Sequence, residues 1–285
     1  MTTPLLQETP PQGPEHTLTG EFRVYKRVRS KFLATERNVI VYLPPGYDAD
    51  PLRRYPVLYM HDGQNLFDIA TSVGREWGVD ETAQRLVEAR AIEPVLIVGV
   101  YNTGDTRIDE YTPTRNRGKG HGGKAGLYGR MLVEELKPLI DNQYRTLRDP
   151  ANTGLAGSSL GGLVALYLGL QYPATFGKLG VISPSVWWDN RMIVREVRAL
   201  GAKPPLRIWL STGTEESRGV LPNARRLRDA LIRKGWVIGR DLAYYEAEGA
   251  GHNEQAWSQI VDPFLRFLFP TKPGATIDRG GLERL

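Results

Sequence analysis

Ser159 stands in Gly157-Ser158-Ser159-Leu160-Gly161, a G-x-S-x-G pattern. The pattern alone is weak; its setting gives it meaning. An apolar, strand-like stretch (153–156) leads in and a helical stretch (160–172) leads out, as a nucleophile held on a strand–turn–helix requires. Such a turn forces its central residue into a strained backbone, and small residues at 157 and 161 avoid collisions there. The helix beginning at 160 contributes N–H groups that favour negative charge. The bland alternative is a glycine-rich helix cap carrying an uninvolved serine.

A serine hydroxyl needs a base. The chain has four histidines. On a turn of this kind the order along the chain is serine, acid, histidine, and of His16, His61, His121 and His252 only the last follows Ser159. His252 lies in Gly249-Ala250-Gly251-His252-Asn253-Glu254, between the last expected strand and a helix; a surface histidine in a polar loop is the alternative. The acid, which keeps the imidazole in the right tautomer, is expected in the loop 211–217. That loop offers Glu215 and Glu216, which spacing does not separate; Asp189 is a more distant candidate.

Two donors must face the oxyanion of a tetrahedral intermediate. The N–H of Leu160 is one, and the N–H of Gln64, in His61-Asp62-Gly63-Gln64-Asn65-Leu66-Phe67, is the expected second. Gly63 would let this backbone come close to a substrate. His61 and Asp62 either contact the substrate or brace the loop, which on its blandest reading is an ordinary polar turn. Trp187 and Trp188 follow another strand on the same sheet edge. At least one is expected to face the cleft, where it would suit a flat or aromatic group, although both packing in the core is an even alternative. Trp77 and Trp257 are weaker wall candidates.

These residues need a scaffold. Stretches 22–28 and 38–43 are rich in β-branched and aromatic residues and suit an antiparallel start to a sheet. Strands at 57–60, 95–100, 153–156, 179–182, 206–210 and 241–246 then alternate with helices near 80–90, 127–142, 160–172, 192–200, 223–234 and 255–268. This alternation predicts one α/β domain, 19–270, with a central, mostly parallel sheet and helices on both faces. Ligands bind such sheets at the carboxyl ends of the strands, where every candidate above falls. Residues 1–18, polar and proline-rich, are expected to be a flexible arm, and 271–285 a loose tail.

Composition narrows the chemistry further. The 285 residues, 41% hydrophobic and 24% charged, allow a sizeable core. The absence of cysteine excludes disulfides, thiolate nucleophiles and cysteine-bound zinc. A formal charge of +5, spread along the chain without a basic stripe, argues against a nucleic-acid partner. No apolar run reaches the roughly 18–20 residues of a membrane span, and the first residues do not read as a signal peptide, so a cytoplasmic protein is expected, with a secreted protein whose leader was removed as the alternative. Oligomeric state is not legible.

HDGQNLFD (61–68), EWGVDE (76–81), AGSSLGGLVALY (156–167), SPSVWW (183–188), GTEE (213–216) and GAGHNE (249–254) together resemble the esterase D superfamily. The resemblance is greatest to its enterochelin (ferric-siderophore) esterase-like branch and runs over residues 36–269. It implies an α/β-hydrolase fold, a Ser–acid–His esterase, and no metal or organic cofactor. It also favours Glu216, since relatives often place the acid three residues after the glycine, here Gly213. Enterochelin esterases proper carry an extra N-terminal domain that residues 1–35 are too few to form. The superfamily also holds feruloyl and acetylxylan esterases, S-formylglutathione hydrolases and mycolyl transferases, so the resemblance does not name the substrate. Hydrolysis of a small-molecule ester is the leading expectation, acyl transfer to an alcohol the alternative, and a non-catalytic binding module on the same scaffold the third.

Overall fold

The computed structural model describes residues 16–116, 118 and 120–271, together with the backbone of Leu6–Gln7. Its strands are β1 (Leu6–Gln7), β2 (Glu21–Val28), β3 (Arg37–Leu43), β4 (Val57–His61), β5 (Leu96–Val100), β6 (Thr153–Ser158), β7 (Lys178–Ile182), β8 (Arg207–Gly213) and β9 (Leu242–Ala247). They form one sheet in the order β1-β2-β3-β5-β4-β6-β7-β8-β9. β1, β2 and β3 pair antiparallel, as does β3 with β5. From β5 to β9 every pairing is parallel.

Burial explains the parallel half. β4 and β5 are buried at every position, which an apolar run covered on both faces permits. Successive side chains alternate between two cores. Val57 and Tyr59 join Leu163, Val164 and Leu231 on one face, while Leu58 and Met60 join Leu86, Phe264 and Leu268 on the other. Helices thus cover both faces of the sheet, the α/β-hydrolase arrangement expected. Among the described residues no helix is long and apolar enough to cross a membrane.

Three details differ from the sequence expectation. The last helix is two, Glu254–Ser258 and Val261–Leu268: Pro263 has no N–H to bond back to residue 259, so it is accommodated only in a new first turn. The helix Trp188–Ala199 is interrupted by left-handed Asp189, Asn190 and Arg191 and runs regularly from Met192. The expected loose arm is fastened where it is described. Leu6–Gln7 pairs with β2, His16 Nδ1 lies 2.6 Å from Asp68 Oδ2, and the Thr17 N–H donates to Asp68 Oδ1 at 3.3 Å. The remainder of that arm and residues 272–285 of the expected tail lie outside the described residues.

The strand order sets the position of the site. From β4 the chain steps to one side to form β5, then crosses back to form β6 on the other side of β4. The connections after β4 and β6 therefore diverge and leave a crevice at their carboxyl ends. The loop His61–Phe67 leaves β4, Ser159 leaves β6, and the loops holding Glu216 and His252 leave β8 and β9.

Candidate active site

Three non-glycine residues in left-handed backbone line this edge: Asp62 (φ 57°) after β4, Ser159 (φ 57°) after β6 and Ser183 (φ 42°) after β7. Such conformations persist only where surrounding contacts enforce them, and they concentrate at functional sites. At Ser159 the sharp turn (ψ −119°) ends β6 and begins the helix Leu160–Gln171. The Ser159 N–H donates to Ile182 O, and its carbonyl accepts from the N–H groups of Leu163 and Ser185, each at 3.0 Å. Closeness here demands glycine. A Cβ at Gly157 would lie 3.0 Å from the His61 side chain, and one at Gly162 would lie 2.8 Å from Ile182 O.

His252 and Glu216 meet: His252 Nδ1 is 2.6 Å from Glu216 Oε2. The Glu216 side chain is fully buried, whereas that of His252 is about one-third exposed. Burial raises the carboxyl pKa of Glu216. Hydrogen bonds from His252, Ser183 and the Gly213 N–H outweigh it and hold the pKa below the usual value. Glu216 is therefore ionised, accepts only, and leaves the proton on His252 Nδ1. Its Oε1 accepts from Ser183 Oγ at 2.5 Å, Gly213 N at 2.6 Å and Thr212 Oγ1 at 3.3 Å. The two loops touch backbone to backbone; a Cβ at Gly213 would sit 2.1 Å from Ala250 O. Glu215 is exposed, and Asp189 is paired outward with Arg195 at 3.7 Å. The Ser159 hydroxyl lies 3.3 Å from Ser185 Oγ. Contacts between a nucleophile and its base are often made only once substrate is bound.

The loop after β4 is braced from below. His61 is only 1% exposed; its Nδ1 is hydrogen-bonded to Tyr128 Oη at 2.9 Å, and burial pushes its pKa down to about 3. The Asp62 carboxylate accepts a two-pronged pair of bonds from Arg107, both 2.7 Å, and a third from Asn102 Nδ2, also 2.7 Å. The Arg107 guanidinium lies over the Tyr111 ring at 5.1 Å. The expectation that His61 and Asp62 contact substrate is therefore corrected: one is buried, and the other is committed to Arg107. Gln64 is the second residue of a short 3-10 turn, Gly63–Asn65, so its N–H precedes any carbonyl that the turn could offer. The same holds for Leu160 at the start of its helix. Asn65 Nδ2 donates to Glu254 Oε1 at 3.2 Å, tying this loop to the helix that follows His252.

A family model described as "Putative esterase" matches residues 30–267. The chain belongs to that esterase family. It is a carboxylic ester hydrolase, and siderophore esterases are among its relatives. The ferri-bacillibactin esterase BesA of Bacillus subtilis is 30% identical over 78% of this chain and 82% of its own length. The uncharacterized protein YbbA of the same organism is 27% identical over 84% of this chain and 95% of its own. The solved structure of a BES protein from Bacillus cereus superposes with a TM-score of 0.72, covering 92% of this chain and all of that one, at 24% identity; it speaks for the fold.

The tryptophans of this esterase divide. Trp187 is 52% exposed, but Trp188 is 4% exposed, and its indole N–H donates to the carbonyl and hydroxyl oxygens of Thr114 at 3.2 and 3.1 Å. Trp188 is thus a core residue, contrary to expectation. Trp77 and Trp257 are also buried and pack on each other at 5.6 Å. Trp257 meets the His252 ring edge to face, with centroids 5.0 Å apart. A small cavity of about 10 Å³ is lined by Ser183, Ser211, Gly213, Ala250 and Trp257 among others; neither Ser159 nor Leu160 borders it. Sequence reasoning overlooked Arg107, Ser183 and Ser185. Two hydroxyls just past the strand beside the nucleophile strand were a usable signal for the last two. Nothing local to Arg107 marked it.

Proposed function

We propose that the esterase works through a Ser159–His252–Glu216 triad and an acyl-enzyme. The observation that carries this reading is the pairing of His252 with a fully buried, ionised Glu216 at the same sheet edge as a strained Ser159. His252 Nε2, the nitrogen left unprotonated, accepts the Ser159 proton as Oγ attacks the ester carbonyl. Glu216 holds the Nδ1 proton and stabilises the imidazolium that forms. The N–H groups of Leu160 and Gln64 receive the oxyanion. Collapse transfers the His252 proton to the leaving alcohol, and water, activated by the same imidazole, releases the acid. The resting contact between Ser159 and Ser185 breaks when the hydroxyl rotates towards His252.

The substrate class we assign is a small-molecule ester with a flat or aromatic part resting on Trp187. This side chain stands exposed two residues beyond Ser185, and one relative is named as a ferri-bacillibactin esterase. Ser159→Ala and His252→Ala should each lower turnover of p-nitrophenyl esters by at least 10³-fold, a typical cost of losing a triad member. A fluorophosphonate should label the native protein and not Ser159→Ala. Labelling of both, or full activity in either variant, would overturn the triad. Trp187→Ala should raise KM for aryl esters more than for acetyl esters, and equal changes would remove Trp187 from the substrate site.

A further inference from the structure

Ser183 carries more contacts than a residue between a strand and a loop requires. It adopts a left-handed backbone without being glycine, a conformation that persists only where the surrounding contacts enforce it. Its hydroxyl donates to Glu216 Oε1 at 2.5 Å and accepts from the indole N–H of Trp257 at 3.0 Å. The Trp257 ring in turn packs on the His252 ring. His252, Glu216, Ser183 and Trp257 thus close a circuit drawn from the segments after β9, β8 and β7 and the helix Glu254–Ser258. Trp257 is 7% exposed and Ser183 2%, so water does not compete freely for these bonds, and each strengthens the next.

We propose that Ser183 and Trp257 are positioning residues for the base: Trp257 orients the Ser183 hydroxyl, Ser183 fixes Glu216, and the edge-to-face contact with the indole sets the plane of His252. The Glu216–His252 bond alone fixes one atom of the imidazole and leaves the ring free to swing about it. The edge-to-face contact removes that freedom, and the Trp257–Ser183 bond ties the tryptophan to the acid it must stay aligned with. Errors of about an ångström in such a constellation are worth as much as 10²-fold in rate.

The inference rests on the triad reading, and the experiment separates the two. Ser183→Gly removes the hydroxyl while suiting the left-handed backbone. Trp257→Phe keeps a ring against His252 but removes the N–H donor. Steady-state kinetics on p-nitrophenyl butyrate, with thermal unfolding to establish that each variant folds, should show kcat lowered about 10–100-fold in Ser183→Gly and about 3–10-fold in Trp257→Phe. KM should change less than about twofold, since neither side chain is placed against substrate. The double variant should be no worse than Ser183→Gly, because the indole N–H acts through the hydroxyl. Unchanged kcat in both single variants, losses that multiply in the double variant, or changes confined to KM would overturn the circuit. Full activity in Ser159→Ala would instead overturn the triad reading itself. Trp257→Phe, the milder change, keeps the test decisive should Ser183→Gly fail to fold.

Discussion

Replacing Glu216 by glutamine tests the acid assignment through geometry that leaves the amide little choice. Oε1 of Glu216 accepts from Gly213 N, Ser183 Oγ and Thr212 Oγ1, and the Gly213 N–H cannot turn away. The amide oxygen must occupy that position, which sends the NH2 towards His252 Nδ1. An NH2 group donates, so Nδ1 has to become the acceptor and the ring proton moves to Nε2. The nitrogen needed as base is then blocked. Stabilisation of the imidazolium by a carboxylate is lost as well. In the serine-protease triad the equivalent change lowers kcat by about 10⁴. The expectation here is a 10³–10⁴-fold loss in kcat/KM, or about 4–5.5 kcal/mol of transition-state stabilisation. Glu215→Gln, at an exposed position, should stay within about twofold. Initial rates on p-nitrophenyl acetate, with unfolding transitions recorded for both variants, check it. A Glu216→Gln enzyme retaining more than a tenth of native kcat/KM, or losses of equal size at 215 and 216, would refute the reasoning.

Three further outcomes follow from the bracing of the site. His61 titrates near 3 in the fold because it is buried, whereas an unfolded histidine titrates near 6.5. The unfolded chain thus binds the extra proton first as pH falls, so the contribution of His61 is fully present above about 6.5 and is lost progressively down to about 3. Between pH 7 and 5 this should lower stability by about 2 kcal/mol; urea unfolding of native protein and His61→Phe should show that pH dependence only in the native chain. Arg107→Met leaves the Asp62 carboxylate buried beside the oxyanion loop without its cation and should destabilise by about 3 kcal/mol, the lower end for a broken buried pair because Arg107 stays partly exposed. Adding Asp62→Asn should restore most of that loss, measured by denaturant midpoint, and no recovery would show the pair to be incidental. Gly213→Ala drives a Cβ into Ala250 O and so pushes the acid loop from the base loop; kcat should fall at least tenfold while the fluorophosphonate still labels Ser159 slowly, and native kcat would show that the loops can separate freely.

Much of the fold was legible because it depends on local pattern. Apolar runs covered on both faces, alternating with helical stretches, dictate a parallel sheet, and the elements fell within a few residues of their expected bounds. Breaks such as the one before Pro263 follow from backbone chemistry and could have been read. Ser159 was legible for the same reason: its strained turn is encoded by the small residues immediately around it. His252 needed only chain order and elimination. The choice between Glu215 and Glu216 was different. Both follow the same glycine; the family resemblance favoured Glu216, and only the folded structure shows that its side chain turns inwards while Glu215 stays exposed. The sequence left open whether His61 and Asp62 meet substrate or brace the loop, and which tryptophan is buried, because their partners are remote: Tyr128, Arg107 and Thr114 lie 67, 45 and 74 positions away in the chain. Sequence by itself determined the candidate residues and the sheet edge that presents them, since short-range sterics and periodicity act within a few residues. Only the tertiary structure decided which polar side chains face the cleft and which hold its walls, because burial and hydrogen-bond pairing are set by neighbours that the chain brings together only when the sheet is complete.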